Sequence, residues 1–266
     1  MNIGTEIFSM REKTALVTGA TGYLGTAMST ILAESGAHVI VNSRSPEKAN
    51  KLVDHLVSKG YSAEPAIFDI TSKVDIENYF RSRDGLPLHV LINNAYSGKG
   101  GTVQSSTGDD YLTSFNIAVT SAHNLIQIAL TALRKAVLLS GDASIINISS
   151  MYALVSPVQT IYDDSKSTNP PFYGSAKAAL LQLTRYAACE LGNEGIRVNA
   201  ISPGPFPSQK VQQDNPEFIA RLKEKVPMNR IGSSHEISGP VLFLASSASS
   251  FVNGANIIVD GGWTCW

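Results

Sequence analysis

Hydrophobic and polar positions along the 266-residue chain fall into two alternating rhythms. Short aliphatic, β-branched runs recur as TALVTG (14–19), HVIVN (38–42), AEPAIFD (63–69), LHVLINN (88–94), ASIINISS (143–150), IRVNAIS (196–202) and NIIVDGG (256–262). Each reads as a buried strand. Between them the apolar period lengthens to that of a helix. Leu24, Met28, Ile31 and Leu32 share one face of a segment over 23–36, closed by Gly36. Ser45-Pro46 opens a helix that runs to Gly60, and Ser72 with Asp75 forms a capping box for the next. Further helices are predicted over 108–138, over 173–192, and from the Ser233–Glu236 cap through Ala245. Strands that are apolar throughout and alternate with helices demand a parallel sheet covered on both faces. The expectation is a single doubly wound α/β domain over residues 1–266, with about seven strands and a short N-terminal extension, residues 1–10.

Composition narrows the partners. A formal net charge of −1 argues against a general nucleic-acid binder, which needs a basic surface. No apolar run reaches the length of a membrane span, and MNIGTEIFSMREK lacks the apolar stretch of a signal peptide. The two cysteines, Cys189 and Cys265, form no C-x-x-C and read as free thiols of a reducing compartment, hence the cytoplasm. The five histidines are scattered without ligand spacing, so no metal site is expected.

Candidate chemistry starts after the first strand. VTGATGYLG places Gly19, Gly22 and Gly25 where the strand turns into a helix. Such a turn needs positive φ, a backbone that lets a pyrophosphate approach, and free N–H groups at a helix start. A dinucleotide is the expected ligand, with Thr21, Tyr23 and Leu24 joining the glycines around it. The end of the second strand carries Ser43 and Arg44 instead of a carboxylate. A hydroxyl and a guanidinium suit a 2′-phosphate, so NADPH is expected over NAD. An exposed arginine stacked on adenine without selecting is the alternative. Asp69, with Ile70 beside it, either accepts from the adenine amino group or serves as a helix-entry residue.

NPPFYGSAKAAL (169–180) sets Tyr173 and Lys177 four apart on one helix face, just past Pro170 and Pro171. An ammonium beside a phenol stabilises phenolate and makes a general acid/base. The prolines fix the chain at the helix entrance. A Y-x-x-x-K pair alone is common, but here LINNA, NISS and SPGPFPS follow the fourth, fifth and sixth strands. Together these motifs resemble the short-chain dehydrogenase/reductase family, over nearly all of residues 11–264. The resemblance implies a Rossmann-type fold and a hydride-transfer oxidoreductase. It implies Tyr173 as proton donor and Lys177 as the residue that lowers its pKa and holds the nicotinamide ribose. Ser150 would steady the substrate oxygen, and Asn116 would hold a water in a relay to the lysine. Asn93 and Ala95 would line the cofactor cleft, and Pro203, Gly204 and Ser208 the loop over nicotinamide.

Three departures stand out. Tyr23 occupies a glycine position, a spacing similar to the longer nucleotide-sugar branch, although chain length and VDGG match the shorter one. Tyr96 follows NNA where glycine is usual, so its side chain projects toward the cleft. The interval from Ser150 to Tyr173 is wider than usual, and residues 151–172 read as an inserted, polar, substrate-side loop. Tyr96, Tyr162 and Phe206 join Ser150 and Tyr173 as expected substrate contacts.

These features predict an NADPH-dependent reductase of a small polar, sugar-like carbonyl, or oxidation of the matching alcohol. A 3-oxoacyl-carrier-protein reductase is the alternative enzyme, for which no clear basic patch is found. An epimerase or dehydratase would need a larger C-terminal domain. A non-catalytic NAD(P)-sensing protein is the alternative from another class. The small and apolar residues of 176–192, with Trp263 and Trp266, suggest a homotetramer, with a dimer next.

Overall fold

Side-chain alternation within the strands sets the architecture. The computed structural model describes residues 6–266; residues 1–5 of the expected extension lie outside the described residues. The strands are β1 (Thr14–Val17), β2 (His38–Ser43), β3 (Ser62–Ile67), β4 (Val90–Asn93), β5 (Ala143–Ile148), β6 (Ile196–Pro203) and β7 (Asn256–Val259). They pair in the order β3-β2-β1-β4-β5-β6-β7, all in parallel. Val17, Val39, Val41, Ile92 and Ile146 point to one face. There they meet α1 (Tyr23–Glu34) and α2 (Pro46–Ser58), through residues such as Met28, Leu32 and Leu56. Leu16, Ile40, Leu91, Ile145 and Val198 point to the other. They pack on α3 (Lys73–Ser82), on a long helix after β4, and on the helix after β5. Each fully buried aliphatic side chain contributes about 1.5–3 kcal/mol, so these two layers carry the fold.

The long helix is not continuous. It runs as α4 (Gly108–Phe115), a wide π turn (Asn116–Thr120) and α5 (Ser121–Ser140). Ser121 Oγ donates to the Asn116 carbonyl at 2.8 Å, satisfying an acceptor at the wide turn. α6 spans Pro171–Leu191, two residues earlier than the spacing predicted. Pro170 is extended, at φ −81° and ψ 153°, and Pro171 takes the first helical position, where a missing N–H is harmless. At Ser72 the cap is one-sided: its Oγ accepts from Asp75 N–H, but its own N–H is already given to the Asp69 carbonyl.

The remaining helices are α7 (Gln209–Asp214), α8 (Pro216–Glu224) and α9 (Ser238–Ala245). A third, smaller core lies over the carboxyl edge of the sheet. Met151 and Ile161 pack there with Ile219, Leu222, Val226 and Trp263. Trp263 is therefore buried within its own chain, against Tyr152, and does not offer an interface; Trp266 is exposed. Ala187 and Ala188 likewise face the chain's own core.

Candidate active site

Strand order reverses between β1 and β4, and the loops leaving their carboxyl ends part around a crevice. Hydrogen bonds stitch its floor. Thr18 Oγ1 accepts from Asn94 N–H at 2.9 Å and from Ala95 N–H at 3.2 Å. Asn94 Nδ2 donates to the carbonyls of Thr18 and Gly19 at 2.8 and 3.2 Å. Gly19 is at φ +60°, and a Cβ there would stand 2.9 Å from Ala95 Cα. A Cβ on Gly25 would collide with the Gly19 carbonyl. Gly22 is the N-cap of α1 and supplies no side-chain cap. The first N–H groups of α1 thus open onto the crevice, a cradle for an anion.

The cleft holds about 500 Å³ and is lined by Gly19, Thr21, Gly22, Tyr23, Leu24, Gly25, Ser43, Arg44, Asp69, Ile70, Ala95 and Tyr96, all expected from sequence. Lys48, on the first turn of α2, and Asn94 also line it and were not anticipated. Lys48 lies four residues past Arg44, so a basic residue one helical turn inside the Ser45 cap was the available signal. Arg44 Nη1 stands 3.7 Å from Asp69 Oδ2. Asp69 Oδ1 takes the Thr71 N–H and hydroxyl at 2.9 and 2.8 Å, the geometry of a helix-entry residue. Burial pushes the Asp69 carboxyl up, but these bonds and Arg44 outweigh it and hold it below its usual range. A dinucleotide phosphate fits the uncapped helix start, and a 2′-phosphate fits Arg44 and Lys48.

Asn93 is not on the wall of the main cleft: its Nδ2 donates to Asn147 Oδ1 at 2.8 Å, and it lines a small cavity beneath the cleft with Ala95 and Lys177, while Asn94 stands beside the cleft itself. Alternation along β4 decides this: Asn93 is the last residue of the strand and Asn94 the first outside it.

A second cavity of about 560 Å³ adjoins the first. Ser150, Tyr173, Tyr162, Phe206, Gly204 and Tyr96 line it, together with Tyr152 and Phe218, which sequence reasoning missed. Ser150 stands two residues past the end of β5 and Tyr173 in the first turn of α6, so strand end and helix start fix where the two hydroxyls lie. Burial pushes the Tyr173 phenol up to about 12, with Ser150 pulling the other way and Tyr96 adding to the rise. Burial lowers Lys177 to about 8. The expected depression of the phenol by the ammonium is absent from this arrangement. Lys177 Nζ donates to the Ile148 carbonyl at 2.7 Å and stands 5.8 Å from the Tyr173 ring centroid. Asn116 opens the π turn, is exposed, and lines neither cavity. Pro203 ends β6, buried, and Ser208 Oγ caps α7 by accepting from Val211 N–H; neither lines a cavity.

The inserted segment differs from its expected polar character. Asp163, Asp164 and Lys166 face solvent. Asp163 pairs with Arg221 and accepts from Asn215, and the Ile161 carbonyl accepts from Arg221 Nε. The segment's inner side presents Tyr162, whose hydroxyl meets that of Tyr152 at 2.9 Å and whose ring packs on Phe218. Besides the Tyr152 and Tyr162 hydroxyls, only the Ser167–Asn169 end of the segment adds polar groups to the pocket.

Comparison with known proteins agrees with this geometry. A family model described as enoyl-(acyl carrier protein) reductase matches residues 19–264. The chain is 31% identical over 262 residues to a tropinone reductase homolog of Arabidopsis thaliana, covering 97% of this chain and 94% of that protein. It is 31% identical over 264 residues to galactitol 2-dehydrogenase of Rhizobium johnstonii, covering 97% and 98%. A crystal structure of gluconate 5-dehydrogenase from Burkholderia cenocepacia in complex with NADP and tartrate superposes with a TM-score of 0.86 at 27% identity, over 99% of both chains. With the sheet order, the glycine cradle and the Ser150–Tyr173–Lys177 group in hand, the chain belongs to the short-chain dehydrogenase/reductase family of oxidoreductases.

Proposed function

We propose that this protein is an NADP(H)-dependent dehydrogenase/reductase interconverting a secondary alcohol and a ketone on a small, polyhydroxylated substrate. The observation that carries it is the placement of Ser150 and Tyr173 together in a pocket that shares a wall with the glycine-cradled cleft. Arg44 and Lys48 would hold the 2′-phosphate, and the start of α1 the pyrophosphate. The bound cofactor supplies or accepts a hydride at the substrate carbon. Ser150 donates a hydrogen bond to the substrate oxygen. Tyr173, which keeps its proton at neutral pH in the cofactor-free protein, gives that proton to the oxygen as negative charge develops there in reduction. In oxidation the same phenol takes it back. The Lys177 ammonium, 5.8 Å from the Tyr173 ring centroid, balances the phenolate left on Tyr173 until it regains a proton from solvent.

The substrate class follows from the walls. Tyr152, Tyr162 and Tyr173 present three phenols around one cavity, with Thr168 and Asn169 at its side and no carboxylate among the lining residues. Aromatic faces with hydroxyl edges suit a carbon chain bearing several hydroxyls. Gluconate and galactitol dehydrogenases among the relatives support the same class. The cytoplasm is the proposed location, on the strength of two unpaired cysteines. A homotetramer is the proposed assembly; light scattering at micromolar concentration returning a monomer would reject it. The activity test is NADP reduction with D-gluconate, galactitol and related polyols, against a 3-oxoacyl thioester. Turnover of a polyol that Tyr173→Phe lowers about a thousandfold is the expected result. A preference for the thioester would replace this reading.

A further inference from the structure

Tyr96 and Ser97 line both cavities, and Lys177 lines neither. The lysine is 3% exposed. The ring of Tyr96 lies over its ammonium, with the centroid 5.1 Å from Nζ, while Asn93, Ala95 and Ile117 share with the lysine a small cavity beneath the cleft. The same ring meets Tyr173 edge-on, at 4.8 Å between centroids and 69° between planes. Its hydroxyl donates to Ser114 Oγ at 2.8 Å, and Ser114 passes its own proton to the Phe172 carbonyl at 3.1 Å. Tyr96 is thus linked, through Ser114 of α4, to the first turn of the helix that carries Tyr173, and is laid over the ammonium of Lys177. Just beyond it the chain runs SGKGG, and a Cβ on Gly98 would stand 3.1 Å from the Tyr96 hydroxyl. A glycine there leaves the ring room to settle, while Gly100 packs directly on the Lys166 carbonyl and Gly101 N–H donates to the Thr168 carbonyl, so the loop is anchored just beyond the ring.

The inference rests on the NADP reading above. A dinucleotide seated at the glycine cradle has to reach Tyr173 in the neighbouring cavity, and Tyr96 stands in the partition. We propose that Tyr96 is a positioning residue that acts as a door between the nucleotide cleft and the substrate pocket. It is held shut by Ser114 and the Lys177–Tyr173 pair, and is displaced when the nicotinamide half of the cofactor enters. The adenosine half binds with the door closed. Opening replaces the aromatic face over Lys177 with the cofactor's ribose hydroxyls, so the lysine is uncovered in the loaded protein and sealed in the free one.

Stopped-flow binding tests this on the full-length protein, with NADPH and with adenosine 2′,5′-bisphosphate, which carries the 2′-phosphate but no nicotinamide. Protein fluorescence reports both. For wild type, the NADPH rate should level off with concentration, at the opening rate, while that of the bisphosphate stays linear. Tyr96→Gly should abolish the plateau. It should tighten NADPH about tenfold, as expected if the open form is a tenth of the population, and leave the bisphosphate within about twofold. Tyr96→Phe keeps the ring and loses the Ser114 bond; its plateau should rise about fivefold, the worth of one net hydrogen bond. A linear NADPH dependence in wild type with unchanged affinity in Tyr96→Gly would overturn the door and leave the NADP reading standing. Failure of both ligands to bind would overturn the NADP reading, and the door with it.

Discussion

Lys177 offers the sharpest test of how the site is built. Its ammonium is buried, its one hydrogen-bond acceptor is the Ile148 carbonyl, and burial alone moves its pKa from 10.5 to about 8. A displacement of that size corresponds to about 3 kcal/mol of destabilisation while the lysine is charged in the folded state. Lys177→Met removes the charge and keeps an unbranched side chain of similar length. It leaves the Ile148 carbonyl short of one donor, a loss of about 1 kcal/mol. The net expectation at pH 7 is a variant more stable than wild type by about 2 kcal/mol and without turnover. For a chain of this length that is a rise of about 5 °C in Tm.

The pH dependence gives the sign. Unfolded lysine titrates at 10.5 and folded Lys177 at about 8, so between those values the unfolded chain binds the extra proton. Wild-type stability attributable to this residue therefore rises with pH across that window. The advantage of Lys177→Met should shrink from pH 8 and vanish by pH 10. The Tyr173 phenol, whose folded pKa is raised, contributes stability that is lost only above pH 10, and both proteins share it. Urea titrations followed by circular dichroism at pH 7, 8, 9 and 10 measure the gap. A variant less stable than wild type at pH 7, or a gap that does not change with pH, would refute the reasoning.

Other residues give separate outcomes. Asp142→Ala strands Arg197, a side chain 7% exposed and held by Asp142 at 2.9 and 3.0 Å, and should cost about 3 kcal/mol in urea unfolding. Arg44→Ala and Lys48→Ala should each weaken NADPH about tenfold by fluorescence titration while leaving NADH within about twofold, because each removes a charge-assisted bond to the 2′-phosphate alone. Gly25→Ala puts a methyl into the Gly19 carbonyl; a folded protein with NADPH affinity down at least about tenfold is expected, and unchanged affinity would remove the cradle from the account. Tyr162→Phe should raise KM for the preferred polyol about fivefold at constant kcat, and a matching fall in kcat would show that Tyr162 positions Tyr173 instead.

The strands were legible because each carries a short aliphatic, β-branched run bounded by turn or helix signals. Their number and parallel pairing followed from the alternation with helices. Ser150, Tyr173 and Lys177 were legible as a group because three motifs fell at the ends of successive strands. What was missed depended on direction. Sequence does not say which of two adjacent asparagines leaves the strand, so Asn93 was assigned the cleft that Asn94 faces. It does not show that a helical pattern over 108–138 widens at Asn116 and turns that side chain to solvent. Tyr152, two residues past Ser150, looked like a loop residue, and only its contacts with Tyr162 and Trp263 place it on the pocket wall.

The inserted segment shows why composition misleads about a pocket. Its polar residues were read as a rim on the substrate side, yet an exposed Asp163 is worth more where Arg221 can meet it than inside a cavity. The apolar members, Ile161 and the ring of Tyr162, go inward because they complete the small core over the carboxyl edge. That core includes Ile219 and Leu222 of α8, so the insertion and α8 form one cover, pinned on its outer side by the Asp163–Arg221 pair. The hydroxyl of Tyr162 cannot be buried alone and finds Tyr152. The polar character of the pocket thus comes from the tips of residues recruited for their rings, and the proposed hydroxyl-rich substrate class rests on how that roof is packed.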